Sequence, residues 1–212
     1  MKLSALLGLL TASMVSLASA VAIHPEFDKR ADLPSPECVQ YIKYIGMYHF
    51  VYDASCGQLV DSFSMFEFTK HVLSCSFQVF NCLANVNGTE DLWSMKNCVA
   101  AATCQGTLPM VKLAQCYGAN ISDASSLPHL NYNIYADIVG DCAWQEGGCP
   151  ITFQNYVDFY YGALSAIGST VWPSDVDFVR TNWWDYILDW TLTGDTLPYT
   201  NFDDWLHYSN SS

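Results

Sequence analysis

This chain of 212 residues contains two pairs of aspartates whose spacing could support metal binding or acid–base catalysis. Asp137 and Asp141 are four positions apart, as are Asp185 and Asp189, and this spacing places both carboxylates of a pair on one face of a helix. If the two helices faced each other, the four groups could hold a divalent metal or act as the acid and base of a glycan hydrolase. The favoured interpretation is that both pairs are solvated faces of an acidic chain, which leaves these aspartates as candidates only.

Other catalytic signatures are absent from the sequence. It contains no Gly-x-Ser-x-Gly elbow, no His-Glu-x-x-His motif, no glycine-rich phosphate loop and no calcium loop. The histidines beyond residue 30 occur singly, and each is favoured as a core or surface residue over a ligand: His49, His71, His129 and His207. The sequence therefore predicts no metal site and no cofactor, and an enzyme is the less favoured class.

The charge balance excludes nucleic acid as a partner. Twenty-one residues are Asp or Glu and only 8 are Lys or Arg, for a formal net charge of −13. Affinity for a phosphate backbone comes largely from Lys and Arg that displace counterions, and this chain has few of them. A hydrophobic fraction of 51% with 14% charged residues is also typical of a folded chain rather than a disordered one.

The N-terminal residues predict export. Lys2 precedes an apolar run over 3–17, and small residues up to Ala20 fit a signal-peptidase site. Lys29 and Arg30 form a dibasic pair that resembles the processing site of kexin-type proteases, although a chance pair is the alternative. The predicted organisation is a signal peptide over 1–20, a propeptide over 21–30 and one secreted domain over 31–212.

Glycosylation and the absence of a further apolar run agree with this prediction. Asn-x-Ser/Thr sequons begin at Asn87, Asn120 and Asn210, and such sequons are glycan acceptors in secreted proteins. After the signal peptide, no apolar stretch approaches the roughly 20 residues that cross a bilayer. We therefore expect an extracellular glycoprotein that does not insert into a membrane.

Nine cysteines follow the dibasic pair, and disulfides are expected for an exported chain. They are Cys38, Cys56, Cys75, Cys82, Cys98, Cys104, Cys116, Cys142 and Cys149. Eight can form four bridges, but the spacing does not give the pairing. The spacing of seven between Cys75 and Cys82, and between Cys142 and Cys149, predicts bridges between neighbouring helices. The ninth thiol could be buried and inert, reactive, or bonded to another chain.

Apolar residues recur at spacings of three and four, which predicts an all-α fold. Capping residues, Gly and Pro divide the chain into predicted helices over 37–52, 59–84, 90–103, 107–118, 133–145, 152–168 and 174–194. In the last of these, Ser174 is the predicted N-cap, and the predicted buried stripe comprises Val176, Val179, Trp183, Ile187 and Trp190. The expectation is a single compact, disulfide-stapled domain of six to eight helices.

Aromatic and acidic residues crowd the C-terminal region. Five of the seven tryptophans lie between positions 172 and 205, together with seven aspartates and the single base Arg180. Rigid aromatic rings beside carboxylates are typical of protein interfaces. The predicted partner-binding residues are Trp184, Asp203, Asp204, Trp205 and Tyr208. The alternative is that this region is the core of an aromatic-rich bundle with its last helix docked.

The C-terminal segment Leu197-Pro198-Tyr199-Thr200-Asn201-Phe202-Asp203-Asp204-Trp205-Leu206-His207, in an acidic, cysteine-rich precursor, resembles the small subunits of heterodimeric basidiomycete laccases. The resemblance implies a non-catalytic subunit that binds and stabilises a secreted copper oxidase and has no copper ligands of its own. The sequence contains no His-x-His pair, which agrees with that implication. The resemblance assigns no residue a role.

The leading hypothesis is a secreted accessory protein that binds another secreted protein, in one version through an intermolecular disulfide. Two alternatives stay open at this stage. One is a glycan hydrolase that uses the paired aspartates, and the other is a lipid or sterol carrier with a cavity between its helices.

Overall fold

Helices connected by short turns make up the part of the chain that the computed structural model describes. These residues are Cys38, 65–173 and 175–209, with only the backbone given for 65–72. The elements in chain order are α1 (Met65–Leu83), α2 (Lys96–Gln105), α3 (Thr107–Cys116), a 3₁₀ turn (Ala124–Ser126), α4 (Tyr132–Val139), a second 3₁₀ turn (Gly140–Trp144), α5 (Phe153–Ala166), α6 (Val176–Val179), a π turn (Arg180–Trp184), α7 (Asp185–Thr191) and α8 (Tyr199–Tyr208). The predicted disulfide-stapled all-α fold is confirmed.

Several predictions concern residues outside this part of the chain. They are the signal peptide, the propeptide, the processing residues Ala20, Lys29 and Arg30, the helix over 37–52 apart from Cys38, the ninth cysteine Cys56, and the sequon at Asn210. All of these stay predictions.

Two disulfides fasten α1 to α2. Cys75 pairs with Cys104 and Cys82 pairs with Cys98, so the order of the partners reverses and the two helices are antiparallel. The cysteines of α1 are two turns apart on one face. Their predicted role in joining neighbouring helices is confirmed.

The other two bridges differ in the length of chain that they enclose, with sequence separations of 78 and 7. Cys38 pairs with Cys116 at the end of α3. The prediction for Cys142 and Cys149 is wrong, since they pair with each other and close a local loop. The chain turns back through Gly147 and Gly148, which both have a positive φ, and this brings the two cysteines together within one loop.

Helix α2 is the centre of the domain. It packs against α1, α3 and α5, and six consecutive residues from Cys98 to Thr103 are buried. A helix that is buried on every side needs small side chains at close contacts, and Ala100, Ala101 and Ala102 provide them. The predicted start at position 90 is six residues early, because Leu92 and Trp93 are buried in a turn that precedes the helix.

Capping residues fix the other helix boundaries. Gly106, with φ of 97°, ends α2 and begins α3, and a left-handed residue of this kind favours glycine. Thr152 accepts a hydrogen bond from the Asn155 amide in a capping box that starts α5, as predicted. Gly140, with φ of 74°, ends α4 early, so the predicted helix over 133–145 is an α-helix followed by a 3₁₀ turn.

The segment from α6 to α7 departs from the predicted pattern. Its N-cap is Asp175, which accepts from the Asp177 amide, rather than Ser174. Within the segment, residues 180–184 form a π turn, which is wider than an α-turn and shifts the inward face. Helix α7 ends at Thr191, because Leu192 adopts the left-handed conformation before Gly194 is reached.

The wide turn changes which side chains of the predicted stripe are buried. Val179, Trp183 and Ile187 are buried as predicted, but Val176 and Trp190 are 43% and 42% exposed. Trp184, which the stripe omits, is buried beside Trp183. The prediction is wrong at both ends of the stripe because it assumes an uninterrupted α-helical period.

Buried tyrosine hydroxyls make the fold sensitive to alkali. Burial raises the pKa of both Tyr156 and Tyr160 above the ordinary value of 10.0. The unfolded chain therefore releases these protons first, so their contribution to stability is complete below about pH 10 and is lost as the pH rises above it. We expect the free energy of unfolding, measured by urea titration at increasing pH, to fall steeply beyond that point.

Two variants test the origin of this fall. Tyr156→Phe should make the alkaline loss shallower, whereas Tyr186→Phe should leave it unchanged because Tyr186 is 65% exposed. Tyrosinate absorbance should show the buried hydroxyls ionising together with unfolding. An equal effect of both variants would contradict the assignment to burial.

Candidate interaction surface

The paired aspartates lie on the surface without gathering into one site. Asp137, on α4, is exposed and lies 3.4 Å from the Lys96 Nζ. Asp141 is exposed in the second 3₁₀ turn, so it does not continue the helix of Asp137. Asp185 and Asp189 share α7. In the described part of the chain, no three His, Cys, Asp or Glu residues are grouped to hold a metal ion, so these residues do not assemble the four-carboxylate arrangement that facing helices would have formed.

Three of the five predicted partner-binding residues are in the core. Trp184, Asp203 and Trp205 are 2%, 5% and 3% exposed, and they have little surface to offer a partner. Only Asp204 and Tyr208 are exposed. The prediction is wrong for the three buried residues, because sequence alone does not show that the π turn directs Trp184 inward or that α8 docks along its aromatic face.

Trp184 is held by aromatic contacts with α5. Its ring stacks on Tyr156 at a centroid distance of 5.2 Å and lies 6.2 Å from the ring of Phe153. The Arg180 guanidinium in turn lies 4.1 Å from the centroid of Phe153, a cation–π distance. This cluster fastens the π turn to α5.

Asp203 is the centre of a buried polar cluster between α8 and the loop over 127–130, which precedes α4. Its Oδ1 accepts a hydrogen bond of 2.7 Å from the Leu130 amide, and its Oδ2 lies 2.5 Å from the His129 Nδ1. The His207 Nδ1 lies 3.3 Å from the Oδ1. A buried carboxylate requires such partners, and these come from an amide and two imidazoles.

The rings of the two histidines differ in exposure and therefore in role. His207 is buried, with its Nδ1 2.7 Å from the Asp203 carbonyl oxygen and its Nε2 3.1 Å from the carbonyl oxygens of Leu127 and Pro128. These bonds tie α8 to the loop. The side chain of His129 is 86% exposed, and an exposed imidazole oriented by a buried carboxylate is the arrangement of general-base histidines.

A nucleophile beside His129 is missing from the described residues. The contacts of its ring are with Asp203 and with the ring of His207, 5.8 Å away, and no hydroxyl or thiol in that part of the chain bonds to it. The cluster joins α8 to the loop over 127–130. The cluster is not evident in the sequence, because 74 residues separate His129 from Asp203.

Exposed apolar side chains are concentrated on α7 and just after it. Tyr186 is 65% exposed, Trp190 42% and Leu192 88%. Tyr186 and Trp190 are four apart and share a helix face. We call these three residues the α7 patch. In the sequence, two aromatic residues at a spacing of four indicate the α7 patch. The predicted buried stripe hides this indication, because it places Trp190 in the core.

Negative charge surrounds the α7 patch in sequence. Asp189 and Asp195 are exposed and Asp185 is half-buried, and no Lys or Arg follows Arg180. Large aromatic and aliphatic side chains in an acidic setting can bind a surface that has apolar pockets and basic groups.

The sequons at Asn87 and Asn120 lie on adjoining loops. The Gly88 amide donates to the Gly118 carbonyl oxygen, and the Asn120 amide donates to that of Thr89, each at 2.8 Å. Both asparagines are exposed. Glycans attached at these two positions would therefore stand side by side, at a place distinct in sequence from the α7 patch.

One open cleft of about 390 Å³ lies between the end of α1 and the start of α2. It is lined by Asn81, Cys82, Asn85, Met95, Lys96 and Asn97, and most of the surface that these residues present to it is apolar. The Asn97 side-chain amide donates to the Asn81 side-chain oxygen, and the Asn85 side-chain amide donates to the Asn81 backbone carbonyl oxygen. The cleft is open to solvent, whereas a carrier of a sterol or an acyl chain buries most of its ligand in an enclosed cavity.

Comparison with known proteins adds no relative, since no family model, curated protein or solved structure matches the chain. Among the described residues, no helix is both long and apolar enough to cross a membrane.

Proposed function

We propose that this chain is a secreted accessory protein that binds a secreted enzyme, such as the catalytic subunit of a laccase, through the α7 patch. The observation that carries the proposal is the exposure of Tyr186, Trp190 and Leu192 within seven residues. Single exposed apolar side chains are common, but a cluster that includes Trp and Tyr is typical of an interaction site. The resemblance of the C-terminal segment to laccase small subunits supports this class of partner.

The backbone at Leu192 supports a binding role for its side chain. Leu192 has φ of 55° and is the one non-glycine residue with positive φ among the described residues. A left-handed conformation costs a residue with a Cβ about 1–2 kcal/mol. Here the same conformation ends α7 and leaves Leu192 88% exposed. A partner that covers Leu192 would bury apolar surface that is otherwise in water.

Charge complementarity describes the partner further. The exposed aspartates near the patch should favour a surface whose apolar pocket is rimmed by Lys or Arg. Such an interaction should weaken as salt is raised, because exposed charges are screened over about 10 Å at 0.1 M ionic strength. The alternatives have less support, since Asp137 and Asp141 lie on different elements and the cleft is open to solvent.

The test is direct binding between the purified secreted chain and the catalytic subunit of a heterodimeric laccase, measured by calorimetry. Trp190→Ser and Leu192→Ser should each weaken binding by about 30-fold, the equivalent of about 2 kcal/mol for an interface anchor. Trp172→Ser is the matched control, because Trp172 is comparably exposed, at 37%, outside the patch. Electrophoresis of the complex without reductant shows whether Cys56 also forms the predicted intermolecular disulfide.

Two results would overturn the proposal. One is the absence of a complex at micromolar concentrations, and the other is a complex that the control variant weakens as much as the patch variants do. Thermal unfolding of each variant should match the unsubstituted chain, which separates lost binding from lost folding.

A further inference from the structure

A second exposed aromatic group lies on the loop over 140–149, which we call the Trp144 loop. The Cys142–Cys149 disulfide closes it. Inside the loop, the Gln145 amide donates to the Cys142 carbonyl oxygen, and the Gly148 amide donates to that of Gln145 at 2.9 Å. The loop therefore has a defined conformation.

Two tyrosine hydroxyls of α4 donate hydrogen bonds to the backbone of the Trp144 loop. The Tyr132 hydroxyl donates to the Ala143 carbonyl oxygen at 2.6 Å, and the Tyr135 hydroxyl donates to that of Cys149. The loop packs closely against Tyr135, since a Cβ added at Gly148 would lie 3.3 Å from the Tyr135 hydroxyl oxygen. The loop is thus hydrogen-bonded to α4 at Ala143 and at Cys149.

Trp144 projects from this support into solvent. Trp144 is 63% exposed. Its indole ring contacts the ring of Tyr132 at a centroid distance of 5.1 Å. Tyr132 in turn contacts the rings of Tyr135 and Tyr199 at 5.3 and 5.1 Å. A ring that is already held in place loses little conformational entropy when a ligand covers it.

The residues around Trp144 give the site its polarity. Asp141, Gln145 and Glu146 are exposed, and the loop contains no Lys or Arg. The exposed ring therefore belongs to a loop that also carries two carboxylates and an amide. A ligand that matches this setting has an apolar face to cover the ring, hydroxyl groups to pair with the polar side chains, and a positive charge.

We propose that the Trp144 loop binds oligosaccharides whose pyranose rings bear ammonium groups. The C–H face of a pyranose covers an indole ring, its hydroxyls donate to carboxylate and amide oxygens, and its ammonium group pairs with Asp141 or Glu146. A neutral sugar would lack the last of these interactions. This site does not depend on the α7 patch or on a protein partner.

The test compares two oligomers of equal length by titration calorimetry at pH 6 and low salt. Glucosamine hexamer should bind the full secreted chain, and N-acetylglucosamine hexamer, which has the same backbone without the charge, should bind at least tenfold more weakly. Trp144→Ala should reduce glucosamine-hexamer affinity at least tenfold. The double variant Asp141→Asn, Glu146→Gln should reduce affinity for the charged oligomer only.

Trp172→Ala is the matched control, since it removes an exposed tryptophan outside both the Trp144 loop and the α7 patch and should leave oligomer binding unchanged. Lysine hexapeptide tests whether positive charge alone suffices. The proposal is overturned if neither oligomer binds, if both bind equally, if the peptide binds as tightly as glucosamine hexamer, or if Trp144→Ala has no effect. Unchanged thermal unfolding of each variant shows that its fold is intact.

Discussion

Replacing Asp203 with alanine should lower the free energy of unfolding by about 3 kcal/mol. The side chain is buried and accepts from the Leu130 amide while facing both His129 and His207. Alanine would leave that amide and the imidazole of His207 without this partner in a site that water does not reach. The loss includes part of the connection between α8 and the loop over 127–130, because the carboxylate joins the two through the Leu130 amide and His129.

Asp204→Ala is the matched control for this prediction. Asp204 is the next residue of the same helix and is exposed, so its removal should change the free energy of unfolding by less than about 0.5 kcal/mol. Asp203→Asn should fall between the two, because one oxygen can still accept from the Leu130 amide. Urea titration at neutral pH measures all three, and equal stabilities for Asp203→Ala and Asp204→Ala would contradict the buried cluster.

The sequence predicts the helices well where local signals act alone. Thr152 and Asn155 form their capping box within four residues, and the seven-residue spacing of Cys75 and Cys82 is a property of one helix face. Both features depend on neighbours in sequence, so periodicity and capping rules are sufficient to find them.

The candidate site is harder to predict, because it depends on which residues are buried by distant parts of the chain. The environment of Asp203 comes from 127–130, and the burial of Trp184 depends on a π turn that no local rule indicates. Composition correctly draws attention to the aromatic, acidic C-terminal region. It does not distinguish the rings that build the core from the rings that face solvent.

The same distinction explains why the exposed residues differ from the predicted ones. A one-residue change in helical phase rotates a side chain by about 100°. The π turn introduces such a change between Val179 and Ile187. An unbroken helical period therefore assigns Trp190 to the core, whereas the structure exposes it and buries Trp184.

Trp184→Ala should accordingly lower the free energy of unfolding by about 3–5 kcal/mol, the usual cost of removing a buried large aromatic side chain. The indole stacks on Tyr156 and contacts Phe153, and its removal leaves a cavity between the π turn and α5. Trp190→Ala should change that energy by less than about 1 kcal/mol, because its side chain is partly in water already. Urea titration followed by circular dichroism measures both.

In partner binding, substitution of Trp190 should have the larger effect and substitution of Trp184 the smaller, which is the reverse of their effects on stability. At a temperature where both variants are folded, Trp190→Ser should weaken the complex while Trp184→Phe, which keeps a buried ring, should leave the affinity unchanged. A stable but binding-deficient Trp184→Phe protein would mean that Trp184 reaches the partner and that the core described here opens on binding. Equal loss of stability from Trp184→Ala and Trp190→Ala would contradict the inward direction that the π turn gives Trp184.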